Sequence, residues 1–379
     1  MQIAQQHIRN INELHPALSH FNGLVPDWVL VFSGISLLEN PVFYAQLRQA
    51  FPDSVLLGCS TAGEISGKGV EDASALITTI NWSFGKPTLA STQLANMEDS
   101  EAAGLRLGQQ LAGLELAGVL VLGQGVNING SALITGLVSQ LGSQLPIIGG
   151  LAGDGGAFKQ TCVLNNEGVS EQTVVALGLP AGIKVGHGSY GGWKPFGPAR
   201  KVTRCVGNVL YELDGESALD IYKRYLGDYA AQLPSSGLLF PFEMLGQDHS
   251  EMGLVRTILG VDEAAGSLIL AGDIVQDGYL RLMHASNDAL IDGAEVAANH
   301  AHAMLADTDS SLAILVSCVG RKLVMGGRVE EEVEAVADVL GQGATLTGFY
   351  SYGEISPFVN STDCKLHNQT MTISVLREA

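Results

Sequence analysis

Short apolar runs alternate with longer amphipathic stretches along this chain, and the alternation recurs. Trp28-Val29-Leu30-Val31-Phe32, closed by Ser33-Gly34, is short and β-rich and predicts a buried strand. A helix is predicted from Pro41 to Ala50, with proline in the first turn, where its missing N–H costs nothing. Val55-Leu56-Leu57 predicts the next strand. The same order returns from Val119-Leu120-Val121-Leu122, through a helix over 133–141, to Ile147-Ile148. It returns again from Ala313-Ile314-Leu315-Val316, through a helix over 330–340, to Ala344-Thr345-Leu346. In that last helix Val333, Val336, Ala337 and Leu340 make one apolar stripe. Three strand–helix–strand units predict an α/β fold. The runs 74–82, 182–190 and 369–376 and a hairpin over 202–211 read as antiparallel, so the sheets are expected to be mixed. A helix with Ala218, Ile221, Tyr222 and Tyr225 on one face follows Leu213-Asp214-Gly215. The boundary between two parts is placed at that glycine, after a short N-terminal segment over 1–25. With no low-complexity linker there, the parts over 26–215 and 216–379 are expected to pack together.

Each unit ends in a glycine-rich loop. Gly58-Cys59-Ser60-Thr61-Ala62-Gly63-Glu64-Ile65-Ser66 is matched by Gly348-Phe349-Tyr350-Ser351-Tyr352-Gly353-Glu354-Ile355-Ser356. A degenerate copy is Gly149-Gly150-Leu151-Ala152-Gly153-Asp154. Glycine after a strand permits positive φ or a close backbone approach. An acid beside a second glycine suggests a turn whose carboxylate caps local N–H groups.

The 47 glycines exceed the usual ~7% and fit many tight turns. A net charge of -19 argues against a nucleic-acid partner and against an anionic membrane surface. The first twenty residues lack the apolar core of a signal peptide, and no apolar run reaches transmembrane length. Five scattered cysteines without a C-x-x-C suit a reducing compartment, so a cytoplasmic protein is expected.

The loops above, together with Gly192-Trp193-Lys194-Pro195-Phe196-Gly197, Tyr211-Glu212-Leu213-Asp214-Gly215, Leu254-Val255-Arg256 and His367-Asn368-Gln369-Thr370, resemble in their order the FIST sensory family over nearly the whole chain. The resemblance implies a FIST N-terminal part over 26–215 and a FIST C-terminal part over 216–379. It also implies a small-ligand sensor without catalytic machinery. Stand-alone members similar to this chain bind haem b, sense nitric oxide, and signal in two-component fashion to a separate histidine kinase or to a cyclic-di-GMP enzyme. Others have been regarded as amino-acid sensors.

Candidate chemistry is sparse. Gly58-x-Ser60-x-x-Gly63 misses the nucleophile-elbow spacing by one residue, no P-loop occurs, and Glu64 and Glu354 read better as caps than as an acid/base pair. The chain is therefore expected not to be an enzyme. Non-covalent haem requires an axial ligand, an apolar slot and a group for the propionates. His187, flanked by Gly186 and Gly188, is the expected iron ligand, with Trp193 and Phe196 for the slot and Arg200 or Lys201 for the propionates. His284 and His367 come next, and His249 reads as a surface residue. The rival reading is a binder of an amino acid or another small metabolite without haem. There Ser60, Glu64, Asp154 and Glu354 would line the pocket, the acids meeting an amine and loop N–H groups a carboxylate.

Overall fold

The computed structural model describes residues 1–83, 85–305, 310–358 and 361–379. The first unit comprises β1 (Gln2–Ile8), α1 (Leu14–Ser19), β2 (Trp28–Ser33), α2 (Ile35–Leu38), α3 (Pro41–Ala50), β3 (Val55–Ser60), β4 (Glu64–Ser66), β5 (Gly69–Glu71) and β6 (Ala75–Asn81). The second runs through β7 (Thr88–Gln93), α4 (Ser100–Leu111), β8 (Leu116–Gly123), α5 (Gly130–Leu141), β9 (Ile147–Leu151), β10 (Val163–Asn165), β11 (Gly168–Ser170) and β12 (Thr173–Pro180). The third opens with β13 (Ile183–Tyr190) and is then interrupted by a β-rich insertion. That insertion holds β14 (Lys194–Val206), β15 (Val209–Leu213), β16 (Glu216–Ser217), α6 (Ala218–Leu226), β17 (Phe242–Leu245), β18 (Glu251–Arg256), β19 (Ile258–Asp262), β20 (Ser267–Leu270) and β21 (Tyr279–His284). The unit resumes with α7 (Asn287–Ala303), β22 (Ser311–Cys318), α8 (Val319–Met325), α9 (Val329–Leu340), β23 (Ala344–Ser351), β24 (Gly353–Pro357), β25 (Cys364–His367) and β26 (Met371–Glu378).

Among the described residues the units build three six-stranded sheets of one order: β1-β6-β2-β3-β10-β11, β7-β12-β8-β9-β24-β25 and β13-β26-β22-β23-β4-β5. In each, the two strands joined by a helix run parallel and the returning strand antiparallel, so the sheets are mixed as expected. The outer two strands of every sheet come from another unit. The hairpin β4–β5 leaves the first unit for the third, β24–β25 leaves the third for the second, and β10 with β11 leaves the second for the first. The exchange is cyclic, giving the body a pseudo-threefold plan. The insertion forms an eight-stranded sheet of its own, and the sequence boundary at Gly215 lies within it, between β15 and β16.

Helices cover the outer face of each sheet. Phe43 and Leu47 of α3, Leu107 and Leu133 of α4 and α5, and Ala297 and Val336 of α7 and α9 pack on their own sheets as separate cores. The inner faces meet in a central core that joins Phe32, Leu120, Ile148, Leu177, Ile314 and Phe349 from all three units. Phe32 and Phe349 lie with ring centroids 4.6 Å apart. Strands buried on both faces explain the unbroken apolar runs that mark β2, β8 and β22 in the sequence.

Candidate functional site

The repeated glycine marks the close approach of each parallel strand pair. A Cβ on Gly58, Gly149 or Gly348 would lie 2.2, 2.0 or 2.0 Å from the carbonyl oxygen of Val31, Val121 or Leu315. The loops that follow these glycines are bonded to one another in a ring. Ala62 N–H donates to the Tyr350 carbonyl at 2.8 Å, Tyr352 N–H to that of Leu151 at 3.1 Å, and Gly153 N–H to that of Ser60 at 2.9 Å. The same two loop positions act each time, so the glycine-acid loops meet where the parallel strands end. In open α/β sheets ligands lie at the carboxyl ends of strands.

The acids of these loops are mostly engaged in holding the fold. Glu64 and Glu354 are buried, at 1% and 0% exposure. Glu64 accepts from the hydroxyls of Thr61 and Ser74 and from Ser74 N–H. Glu354 accepts from the Ser351 hydroxyl and from the N–H and hydroxyl of Thr370. Burial raises both carboxyls to about 7, against the lowering effect of those hydrogen bonds. Asp154 accepts the N–H groups of Phe158, Lys159 and Gln160 and the Tyr352 hydroxyl, and its pKa is lowered by these bonds although burial opposes them. Ser60 Oγ accepts Cys162 N–H at 2.9 Å.

Of the four residues expected to line a ligand pocket, Asp154 lines a cleft at the meeting of the three units; Ser60, Glu64 and Glu354 do not line it. That cleft, of about 510 Å³, is bounded by Gly34 after β2, Thr61 and Gly63 after β3, Asp72 before β6, Asp154 after β9, and Lys322 on α8 after β22. All three units contribute. Lys322, absent from the sequence reading, is its cation. Its ammonium donates to the Ala62 carbonyl at 2.8 Å, pairs with the Asp72 carboxylate, and lies 5.2 Å from the Tyr350 ring centroid. The Lys322 side chain is 17% exposed and that of Asp72 70%. The one sequence signal was Gly320-Arg321-Lys322 placed a few residues after a predicted strand. Beside it Arg321 and Glu332 form a buried ion pair at 2.7 Å, both side chains 0% exposed. The pair is braced by the hydroxyls of Tyr350 and Ser317 on Glu332.

The expected haem site is not assembled around His187. His187 is 2% exposed within β13, and its Nδ1 has no partner. Its flanking glycines serve helix packing: a Cβ on Gly186 would lie 2.5 Å from the Ala301 carbonyl, and one on Gly188 2.0 Å from that of Ala297, both on α7. No room for a planar ligand follows from them. Trp193 lines a different cavity, Phe196 is 43% exposed beside His284, and Arg200 is held by Tyr225 and Asp214. Lys201 pairs with Asp277. These residues do not fit haem at His187.

The chain matches the FIST N domain over residues 27–216 and the FIST C domain over 218–357. It is similar to the uncharacterized protein MJ1623 of Methanocaldococcus jannaschii, at 27% identity over 197 residues, 48% of this chain and 37% of that protein. The match thus spans little over a third of that relative's length. Among solved structures it is similar to the cyanuric acid hydrolase of A. caulinodans, covering 99% of both chains at 10% identity and TM-score 0.36. That neighbour is an enzyme, and the expectation that this chain is not one is withdrawn on that finding. So distant a likeness assigns no activity, substrate or catalytic residue to this chain. Among the described residues no helix is long and apolar enough to cross a membrane.

Proposed function

The chain belongs to the FIST family, and on that premise we propose that it is a small-ligand sensor whose ligand occupies the Lys322 cleft and carries both a carboxylate and an amine. FIST domains are sensory, which is consistent with a role in signalling. The observation that carries the ligand class is the placement of Lys322 against Asp72 at the meeting of three units. A ligand carboxylate would replace Asp72 on the ammonium, and a ligand amine would engage the released Asp72, which is mostly exposed and free to turn. A cavity of about 510 Å³ suits an amino acid or a slightly larger metabolite. Because the cleft is closed by loops from separate units, a ligand bridging Lys322 and Asp72 would favour one arrangement of the loop ring. Such unequal binding is what a sensor requires. The signal would pass to a separate histidine kinase or cyclic-di-GMP enzyme.

The test is a thermal-shift and calorimetric screen of the common amino acids and dicarboxylates on the wild type and on Lys322→Met. A true ligand at a hundred times its Kd stabilises by about 2.7 kcal/mol. The stabilisation should vanish in Lys322→Met while the variant keeps its circular dichroism. Equal shifts in both proteins would overturn the cleft assignment, and no shift from any compound would overturn the ligand class. A Soret band in protein expressed with haem, lost on replacing a cleft or loop residue, would favour haem and nitric oxide instead.

A further inference from the structure

A second cavity, of about 440 Å³, lies between the end of β13 and the inserted sheet and shares no wall residue with the Lys322 cleft. Its chemistry is different. Trp193, Met283 and Phe358 supply apolar and aromatic surface, and the Trp193 ring is fixed by its indole N–H, which donates to the Gln369 carbonyl at 2.8 Å. His367 stands on the same wall, 2% exposed, with Phe358 edge-on at 5.3 Å.

The protonation of His367 follows from its partner. Nε2 lies 3.0 Å from the Ser356 carbonyl, which can only accept, so Nε2 carries the proton and Nδ1 keeps a lone pair. Burial, aided by the charges of Arg256 and Lys365, lowers its pKa to about 4 against that hydrogen bond, and the ring is neutral near pH 7. The charged side chains on the wall are both acidic. Glu243 is neutralised by Arg281 at 2.6 Å, whereas Glu251 lies 3.8 Å from Arg281 and is 75% exposed. The wall therefore carries aromatic side chains, the neutral His367 imidazole and a largely exposed carboxylate, and its charged side chains include no cation. A ligand that complements it supplies donors, a positive charge and an apolar body.

We propose that this cavity is a second binding site, for a small primary amine with an aromatic or apolar body. The body would cover Trp193 and Phe358, and the ammonium would meet the acceptor of His367 and the field of Glu251. The cavity joins β13 and β25 of the body to β14, β17, β18 and β21 of the insertion, so occupancy would tie the insertion to the body. This site stands independently of the Lys322 reading.

The probe is 2-phenylethylamine, followed by saturation-transfer NMR and calorimetry at pH 7.5 on the full chain, with 2-phenylethanol and 3-phenylpropionate as neutral and anionic counterparts. The amine should bind saturably and about tenfold tighter than the alcohol, as a cation over an aromatic face predicts. Trp193→Leu should weaken it by about tenfold, Glu251→Lys by a few-fold at low salt, and Lys322→Met not at all. Glu251 is exposed, so its variant decides the matter if Trp193→Leu fails to fold. The proposal is overturned if the amine shows no saturable binding below about 10 mM. It is equally overturned if the propionate binds as well as the amine, or if Glu251→Lys binds the amine as the wild type does.

Discussion

Glu354 accepts both the N–H of Thr370, at 3.1 Å, and its hydroxyl, at 3.0 Å. Glu64 stands to Ser74 in the same relation, with the N–H at 3.0 Å. Each carboxyl clamps the first residues of an exchanged strand, β4 or β24, to the start of the returning strand of its own unit, β6 or β26. The second unit has Asp154 instead, which caps its own longer loop.

These clamps predict a pH dependence. Glu64 and Glu354 titrate at about 7 in the folded chain, against ~4.3 for an unfolded glutamate. Between those values the folded protein holds protons that the unfolded chain has released. Their contribution is complete below the unfolded value and falls as pH rises to about 7. Glu64→Gln keeps an acceptor for Ser74 and a donor for Thr61 without the charge. Relative to wild type it should gain on the order of 2 kcal/mol between pH 5 and pH 7.5, measured by urea unfolding at each pH. Parallel stability curves for the two proteins would contradict the assignment.

The Arg321–Glu332 pair predicts a strongly asymmetric response. Glu332→Gln leaves a buried guanidinium without its counter-charge and should destabilise by about 3–5 kcal/mol. The double variant Arg321→Met/Glu332→Leu should lose less than that single change, because neither charge is then stranded. A double-mutant cycle in urea distinguishes this from simple additivity.

At the repeated glycine the prediction is steric. Gly348→Ala puts a methyl 2.0 Å from the Leu315 carbonyl oxygen, where backbone must move, and should cost about 3 kcal/mol or more. Gly67→Ala meets nothing within 4 Å and should fall within about 0.5 kcal/mol of wild type. Equal effects would show that the parallel strands are not in close contact at Gly348.

His187 carries an unpartnered buried Nδ1. His187→Leu should therefore leave stability unchanged or raise it by about 1 kcal/mol. Any absorption in the Soret region after expression with haem should be the same in both proteins. A loss of absorption in the variant would restore His187 as an iron ligand.

Much of the scaffold was legible in the residues. The helix expected from Pro41 to Ala50 is α3 with the same ends, and the helix expected over 330–340 is α9, Val329–Leu340. The apolar runs at 28–32, 119–122 and 313–316 are the centres of β2, β8 and β22. These succeed because burial on one helical face, or on both faces of a strand, writes a pattern into consecutive residues. The exchanged hairpins were not legible. They are held to foreign sheets by backbone hydrogen bonds, such as the pairing of Phe349 with Glu64, which leave no such pattern.

At the sites the division is the same. The glycine-acid loops could be read as turns after strands, and a glycine before a loop as a close approach. What the glycines approach was decided only by the tertiary structure. At Gly186 and Gly188 it is helix α7 and not a ligand. Lys322 enters the site because α8 of the third unit is carried to a carbonyl 260 residues away in sequence, a distance over which local pattern has no reach. The repeated unit, its strands, its helices and its turn chemistry could be read along the chain, since these depend on neighbours in sequence. The cyclic exchange of strands decided which carboxyls were buried as clamps and which cation was left facing a cleft, since burial and charge pairing depend on neighbours in space.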